Sequence, residues 1–263
     1  DKMHAVLFAS DFDGTLSHGQ EIDAQTLAAV SRFRQKGGRF GVCSGRDPGT
    51  LKDELSQHGL ACDFLILMNG ARIEAGADCL QEKLLSGWEK ALPLLRARCL
   101  FFTMLSREEA YMFRSGKVRT AEVSAGEQAY IDAIGRMYTM RRCAEELAAV
   151  YQISCRTQDG RAAVALADEL HRFGLSAWPN CEYVDVVPKG VGKAPAVAAV
   201  AAHFGVASGR VYTAGDGRND MEMLSRFRGF AMSRAEECVR RAASWTVKTV
   251  GEALEQVCGE AFA

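Results

Sequence analysis

The sequence predicts an α/β fold: a parallel sheet flanked by helices, interrupted by an α+β insertion. Three observations predict it. Short continuous apolar runs recur in the first third and again after Lys193, each stopping at a turn of small, acidic or glycine residues. Helical patterns lie between those runs. The middle third has strand-like and helix-like pieces but none of those turns. Strands alternating with helices imply a parallel sheet with right-handed crossovers, and apolar runs without alternation suit strands buried on both faces.

Taken in order, Ala5–Ala9 is the first strand, leading into Asp11-Phe12-Asp13-Gly14-Thr15. Asp23 precedes Ala24, Leu27, Ala28, Val30 and Phe33, an amphipathic helix stopped by Gly37-Gly38. Arg39–Cys43 is the second strand and ends at Ser44-Gly45-Arg46. Asp47-Pro48 opens a helix with Leu51 and Leu55 inward, closed by Gly59. Phe64–Met68 is a third buried run, ending at Asn69-Gly70. In the middle, strands are expected at Cys99–Leu105, Ala110–Phe113, Gln152–Arg156, Leu175–Trp178 and Tyr183–Val187. Helices are expected around Trp88–Arg96, Ala129–Val150 and Asp159–Phe173. The first rhythm then returns with a helix through Val197–Phe204, a strand Arg210–Ala214 and a turn Gly215–Asp220. A helix through Met221–Phe227, the run Gly229–Met232 and a helix near Glu236–Ala243 follow. The expected division is a split core, residues 1–83 and 187–263, around an insertion, residues 84–186.

The 263 residues carry 32 Lys+Arg against 33 Asp+Glu, a net charge of −1, with 48% hydrophobic residues. Such balance excludes a generally basic nucleic-acid binder, and Arg141-Arg142 and Arg240-Arg241 read as helix surface. Five prolines and no low-complexity tract exclude a disordered chain. Nine scattered cysteines contain no C-x-x-C pair, so a zinc ribbon or redox pair lacks its signature. No apolar stretch reaches the length of about 18 residues that a membrane helix needs, and no charged-then-apolar leader is present. A reduced, cytoplasmic protein without a membrane or nucleic-acid partner is therefore expected, with Met3, after Asp1-Lys2, reading as the natural start. Nothing in the sequence bears on oligomeric state.

In open parallel sheets ligands sit beyond the carboxyl ends of the strands. Asp11 and Asp13 follow one strand, with a spacing that puts both carboxylates on one side of an extended chain. Gly215-Asp216-Gly217-Arg218-Asn219-Asp220 follows another and supplies two more acids. Two carboxylates about 4 Å apart repel by about 4 kcal/mol at an effective dielectric of 20. Such a cluster calls for a cation, and all-oxygen ligands favour Mg²⁺, which keeps waters and bridges to a phosphate. Ser44, with the free N–H groups of Gly45 and its neighbours, can hold a phosphate oxygen. Lys189 and Lys193 precede a helix, where a lysine can neutralise both acids and phosphate.

Asp-x-Asp-Gly-Thr (Asp11–Thr15), Ser-Gly-Arg (Ser44–Arg46), a late Lys and Gly-Asp-Gly-x-Asn-Asp (Gly215–Asp220), in this order, resemble the haloacid dehalogenase superfamily. The length inserted between the second and third motifs looks like the C2 cap of its Cof-like, type IIB phosphatases. The resemblance implies a Rossmann-like three-layer parallel-sheet core with an inserted α+β cap. It implies an aspartyl-phosphate mechanism: Asp11 as nucleophile, Asp13 as general acid and base, Ser44 and Lys193 on the phosphoryl group. It implies Mg²⁺ held by Asp11, the Asp13 carbonyl and Asp216, with Asn219 or Asp220 nearby. Ser44, Gly45, Arg46, Asn69, Lys193 and Asn219 would line the substrate site. Ala194 and Gly192 depart from the commoner Gly and Ser of the family.

The implied substrate is a small phosphorylated metabolite, most often a sugar phosphate. In capped enzymes the cap reads the leaving group, which makes Arg114, Lys117, Arg119, Arg156, Gln158 and Asp159 candidates. A phosphomannomutase-like phosphotransferase is the enzyme alternative. The alternative of another class is a phosphorylatable signalling or non-catalytic phosphate-binding module; receivers of that kind are about half this length and lack an insertion.

Overall fold

The computed structural model describes residues 5–106, 110–114, 139–140, 144, 147 and 149–262. Among them are two compact units. One takes in residues up to 46, 50–82 and from 191 onward; the other takes in residues 47–49 and 83–190.

The first unit is built on an eight-stranded sheet. Its strands are β1 (Leu7–Asp11), β2 (Arg39–Cys43), β3 (Phe64–Leu67), β4 (Arg72–Ala75) and β5 (Asp78–Glu82) from the first segment. In the same sheet lie the strands Val211–Gly215, Arg228–Met232 and Trp245–Val247 from the last segment. Val211–Gly215 pairs parallel with β1, and β1 with β2, so chain from both segments meets at the sheet's centre. The pairings β3–β4 and β4–β5 are antiparallel, so β4 alone among these strands runs against the others, and β4–β5 form a hairpin on the edge.

The pleat decides which way the functional groups point. With a period of two, Leu7, Ala9 and Asp11 share one face of β1. Leu7 and Ala9 are buried in a cluster with Val197 and Val200 of the helix Lys193–Phe204. Phe8 points the other way and meets Phe33, Phe40 and Phe230 at ring-centroid distances of 6.0–6.2 Å. Apolar groups cover both faces, as the continuous apolar run requires. At Asp11 the strand runs out of apolar neighbours, beside the start of the helix that carries Lys193.

The helix Ala24–Gln35 begins where Asp23 accepts from the Thr26 N–H at 2.8 Å. After it, Asp63 ties the edges of β2 and this helix together. It accepts from Arg34 at 2.9 and 3.3 Å, from Arg39 at 3.2 Å and from the Phe40 N–H at 3.0 Å. Burial pushes this carboxyl up, but the bonds from Arg34, Phe40 and Arg39 outweigh it and hold it below 3.8. The stabilisation is therefore complete above the ordinary carboxylate value and disappears as pH falls through the depressed one. Asp63→Asn is expected to cost about 1.5 kcal/mol at pH 7. In urea unfolding, its deficit against wild type should shrink steadily once pH drops below 3.8.

The second unit has a six-stranded sheet ordered β10-β11-β9-β6-β7-β8. Here β6 is Phe101–Leu105, β7 Ala110–Arg114, β8 Thr139–Met140, β9 Gln152–Arg156, β10 Ser176–Asn180 and β11 Tyr183–Val187. The helices Leu92–Arg98 and Gly160–Arg172 pack on one face through Leu92, Leu95, Ala163, Leu166 and Leu170. The last segment of the first unit adds the helices Met221–Arg226, Glu237–Ala242 and Val250–Ala261.

Three expectations are corrected. The first strand starts at Leu7 and includes Ser10 and Asp11, because main-chain pairing with Val42 and Cys43 continues past the apolar run. Within the expected helix 129–150, Thr139–Met140 is a strand beside β7; most of that span lies outside the described residues. The third parallel strand ends at Leu67, and Met68, Asn69 and Gly70 turn the chain with positive φ of 49°, 54° and 103°. Among the described residues no helix is long and apolar enough to cross a membrane.

Candidate active site

Four groups converge at the carboxyl end of the central strands. Lys193 Nζ donates to Asp11 Oδ1 and to Asp220 Oδ1, both at 2.6 Å, and all three side chains are buried. Asp216 completes the group, since one oxygen each of Asp11, Asp216 and Asp220 lie within 4.8 Å of one another. Lys189, by contrast, is exposed.

Glycines make the convergence possible. Gly14 has φ +80°, and a Cβ there would stand 2.3 Å from Asp216 Oδ2. That clearance lets the loop after β1 lie directly against the loop after Val211–Gly215, where Thr15 Oγ1 donates to Asp216 Oδ1 at 3.0 Å. A Cβ on Gly215 would stand 2.5 Å from that of Asp220, so only glycine lets the acidic turn fold back. Asp220 Oδ2 closes this turn by accepting from the N–H groups of Asp216 at 3.1 Å and Gly217 at 2.9 Å. Asn219 is half-buried in the same turn.

Both Asp220 oxygens are thus engaged within the chain. Asp11 and Asp216 use Oδ1 for their hydrogen bonds to Lys193 and Thr15. Burial, then the neighbouring Asp220, hold the Asp11 carboxyl well above the usual range, although Lys193 pulls the other way. The same two causes raise Asp216. Burial would depress Lys193, but Asp11 and Asp220 keep it firmly protonated. Three carboxylates thus face one ammonium, and the remaining negative charge is what burial resists. An oxygen-only donor set with that deficit fits a hard divalent cation.

Around this centre, Ser44 is buried just after β2; its carbonyl accepts from the Asn69 N–H at 2.9 Å and its Oγ from the Arg46 N–H at 3.1 Å. Asn69 adopts φ +54° in the turn after β3. Gly45 is half-buried between Ser44 and Arg46. Asp13 turns its carboxylate to Arg46, with Nε–Oδ2 at 2.8 Å and Nη2–Oδ1 at 2.6 Å. Arg234, from the loop after Arg228–Met232, donates to the Gly14 carbonyl at 2.5 Å and touches the His18 ring.

Of the candidates for reading a leaving group, Arg156 is buried in the second unit beside Glu182 and over the Tyr183 ring. Asp159 caps the helix Gly160–Arg172, and Gln158 is exposed just before it. Lys117, Arg119 and the Arg114 side chain lie outside the described residues. Sequence reasoning missed Thr15, Arg234 and Glu54. Glu54 had a signal: it stands three residues after Leu51 and beside Leu55, on the inward stripe of its helix.

The family model for haloacid dehalogenase-like hydrolases matches residues 8–253, nearly the whole chain. The chain belongs to the haloacid dehalogenase-like hydrolases. It is 24% identical over 258 residues to the protein named "Putative phosphatase YkrA" of Bacillus subtilis (strain 168), covering 95% of each chain. Its fold is that of the subclass IIB sugar phosphatase BT4131, with TM-score 0.78 and 19% identity over 95% of this chain and 98% of that one. BT1666 of Bacteroides thetaiotaomicron, a phosphatase of the same superfamily, gives TM-score 0.78 and 21% identity over 97% and 96%.

Proposed function

We propose that this hydrolase is a Mg²⁺-dependent phosphatase of small phosphorylated metabolites, sugar phosphates foremost, working through an aspartyl-phosphate. The observation that carries the reading is the buried Lys193 shared by Asp11 and Asp220 with Asp216 alongside. The phosphatases named among its relatives support it. Cys43, Cys99 and Cys155 are buried free thiols, which supports a reducing cytoplasmic setting. By family resemblance, residues 84–186 are the cap that reads the leaving group.

In the first step an Asp11 carboxylate oxygen bonds to phosphorus as the ester P–O bond breaks. The departing oxygen keeps that bond's electron pair and takes a proton from Asp13. In the second step Asp13 takes a proton from water, whose oxygen bonds to phosphorus and returns Asp11 to a carboxylate. Lys193 and Ser44 hold phosphoryl oxygens throughout. Asp11 and Asp216, with the Asp13 carbonyl, would hold the Mg²⁺, and Asp220 fixes the turn that presents Asp216. The cation supplies charge neutralisation at the phosphoryl oxygens.

Phosphate-monoester hydrolysis can require about 10²¹-fold acceleration, and general acid–base catalysis gives about 10²–10⁴ of that. Covalent catalysis and preorganised charge must supply the rest, which is why the centre is buried and built from several elements.

The test is phosphate release from p-nitrophenyl phosphate and a panel of sugar phosphates. EDTA should abolish release and Mg²⁺ restore it. Acid quench should then leave a phosphoryl group on the peptide containing Asp11. Activity indifferent to EDTA, or a quenched protein without covalent phosphate and with no Asp11 dependence, would overturn the proposal.

A further inference from the structure

We infer that Glu54 is a positioning residue for Asp13, acting through Arg46. The inference rests on the reading of Asp13 as the proton donor. A carboxylate on the inward face of a helix loses its hydration and persists only with partners. Glu54 is buried there between Leu51 and Leu55. One of its oxygens accepts from Ser17 Oγ at 3.2 Å and the other from Arg46 Nη1.

The same guanidinium gives its opposite edge to Asp13 and lays its face on the Phe12 ring, with Cζ 5.0 Å from the centroid. Two edges and one face of the cation are therefore fixed. The contacts also close on themselves. Gly14 N–H donates to the Ser17 carbonyl at 2.9 Å and Ser17 N–H to the Phe12 carbonyl at 2.8 Å. The loop that carries Asp13 is pinned at Ser17 by the same carboxylate that anchors Arg46.

Asp13 needs this support, because its side chain is 58% exposed. A bare ion pair at that exposure holds its partner weakly, and an unrestrained carboxylate keeps its rotamer freedom. What fixes Asp13 is that the far edge of its arginine is fastened to a buried acid. A general acid must lie within hydrogen-bond reach of the leaving oxygen, so loss of the anchor should appear wherever that proton is needed.

Leaving groups separate this role from a merely structural one. p-Nitrophenolate departs as a stable anion and needs little protonation, whereas an alkoxide does need it. Because kcat/KM covers only the steps up to departure of the alcohol, it reads the donor alone. For Glu54→Gln, kcat/KM should fall about 10-fold or more on an alkyl phosphate and less than about 3-fold on p-nitrophenyl phosphate. Ser17→Ala should shift the same ratio in the same direction, and it serves as the variant if Glu54→Gln does not fold. Equal losses on both substrates, or no loss, would overturn the inference. A readout independent of turnover is the Arg46 Nε–H resonance. It should be resolved and slow to exchange in wild type and should join the exposed arginines in Glu54→Gln; no change would also overturn the anchor. If wild type hydrolyses neither substrate, the phosphatase reading fails, and the resonance still decides whether Glu54 fixes Arg46.

Discussion

The Asp11→Asn variant is expected to fold normally and to lose turnover of p-nitrophenyl phosphate by about 10⁴-fold or more. The amide keeps an oxygen toward Lys193, which donates to Asp11 Oδ1 at 2.6 Å, so the local geometry survives. It also removes one of three crowded carboxylates, whose mutual repulsion helps hold Asp11 well above its usual range. Folding should therefore be spared while the nucleophile is lost. Near-UV circular dichroism would report the first and kcat/KM the second. Turnover within about tenfold of wild type would place the nucleophile elsewhere, since nucleophile removal in a covalent mechanism is far more damaging than that.

Lys193→Met is expected to damage stability as well as rate. Removing one member of a buried, charge-paired group typically costs about 3–5 kcal/mol. Here it leaves both Asp11 and Asp220 without their shared ammonium. The loss should be largest after chelator treatment. Mg²⁺ should then recover part of it, because a cation bound only by the folded chain stabilises by mass action. Denaturant unfolding with EDTA and with Mg²⁺ measures both effects. An unchanged midpoint in EDTA would mean that the lysine contributes nothing to holding the acids together.

How much of this was legible in the sequence depends on what kind of force fixed each part. Apolar runs marked the parallel strands, and Arg39–Cys43 falls as expected; in the antiparallel sheet of the second unit Gln152–Arg156 and Tyr183–Val187 also fall as expected. Burial on both faces leaves a run with no polar interruption, and such a run is easy to see. Asp11 was read just beyond its strand because a polar residue ends the apolar pattern, while main-chain pairing ignores side-chain polarity. The hairpin β4–β5 was not read, since its residues are largely polar and its exposed edge demands no apolar pattern. The helix Val250–Ala261 was left unassigned although Val250, Ala253, Leu254 and Val257 make a readable stripe.

The acids were visible as residue types in turns. Their approach was not, because it depends on space at Gly14 and Gly215 that only the folded partners define. Glu54 shows the same limit: its place on an inward stripe was visible, but which arginine it serves depends on how the loop after β1 meets the helix Pro48–Gln57.

The pairing of β1 with Val211–Gly215 has a consequence for biosynthesis. Thr15 and its partner Asp216 are 201 positions apart in the chain. As the ribosome delivers the amino end first, β1 acquires β2 early, while its other edge waits for a strand not yet made. That waiting edge leaves main-chain N–H and C=O groups unpaired on an otherwise apolar strand, and such an edge invites association with other chains. The strand that finally covers it brings the acidic turn with it. One pairing therefore both closes the free edge of β1 and brings Asp216 and Asp220 to Asp11.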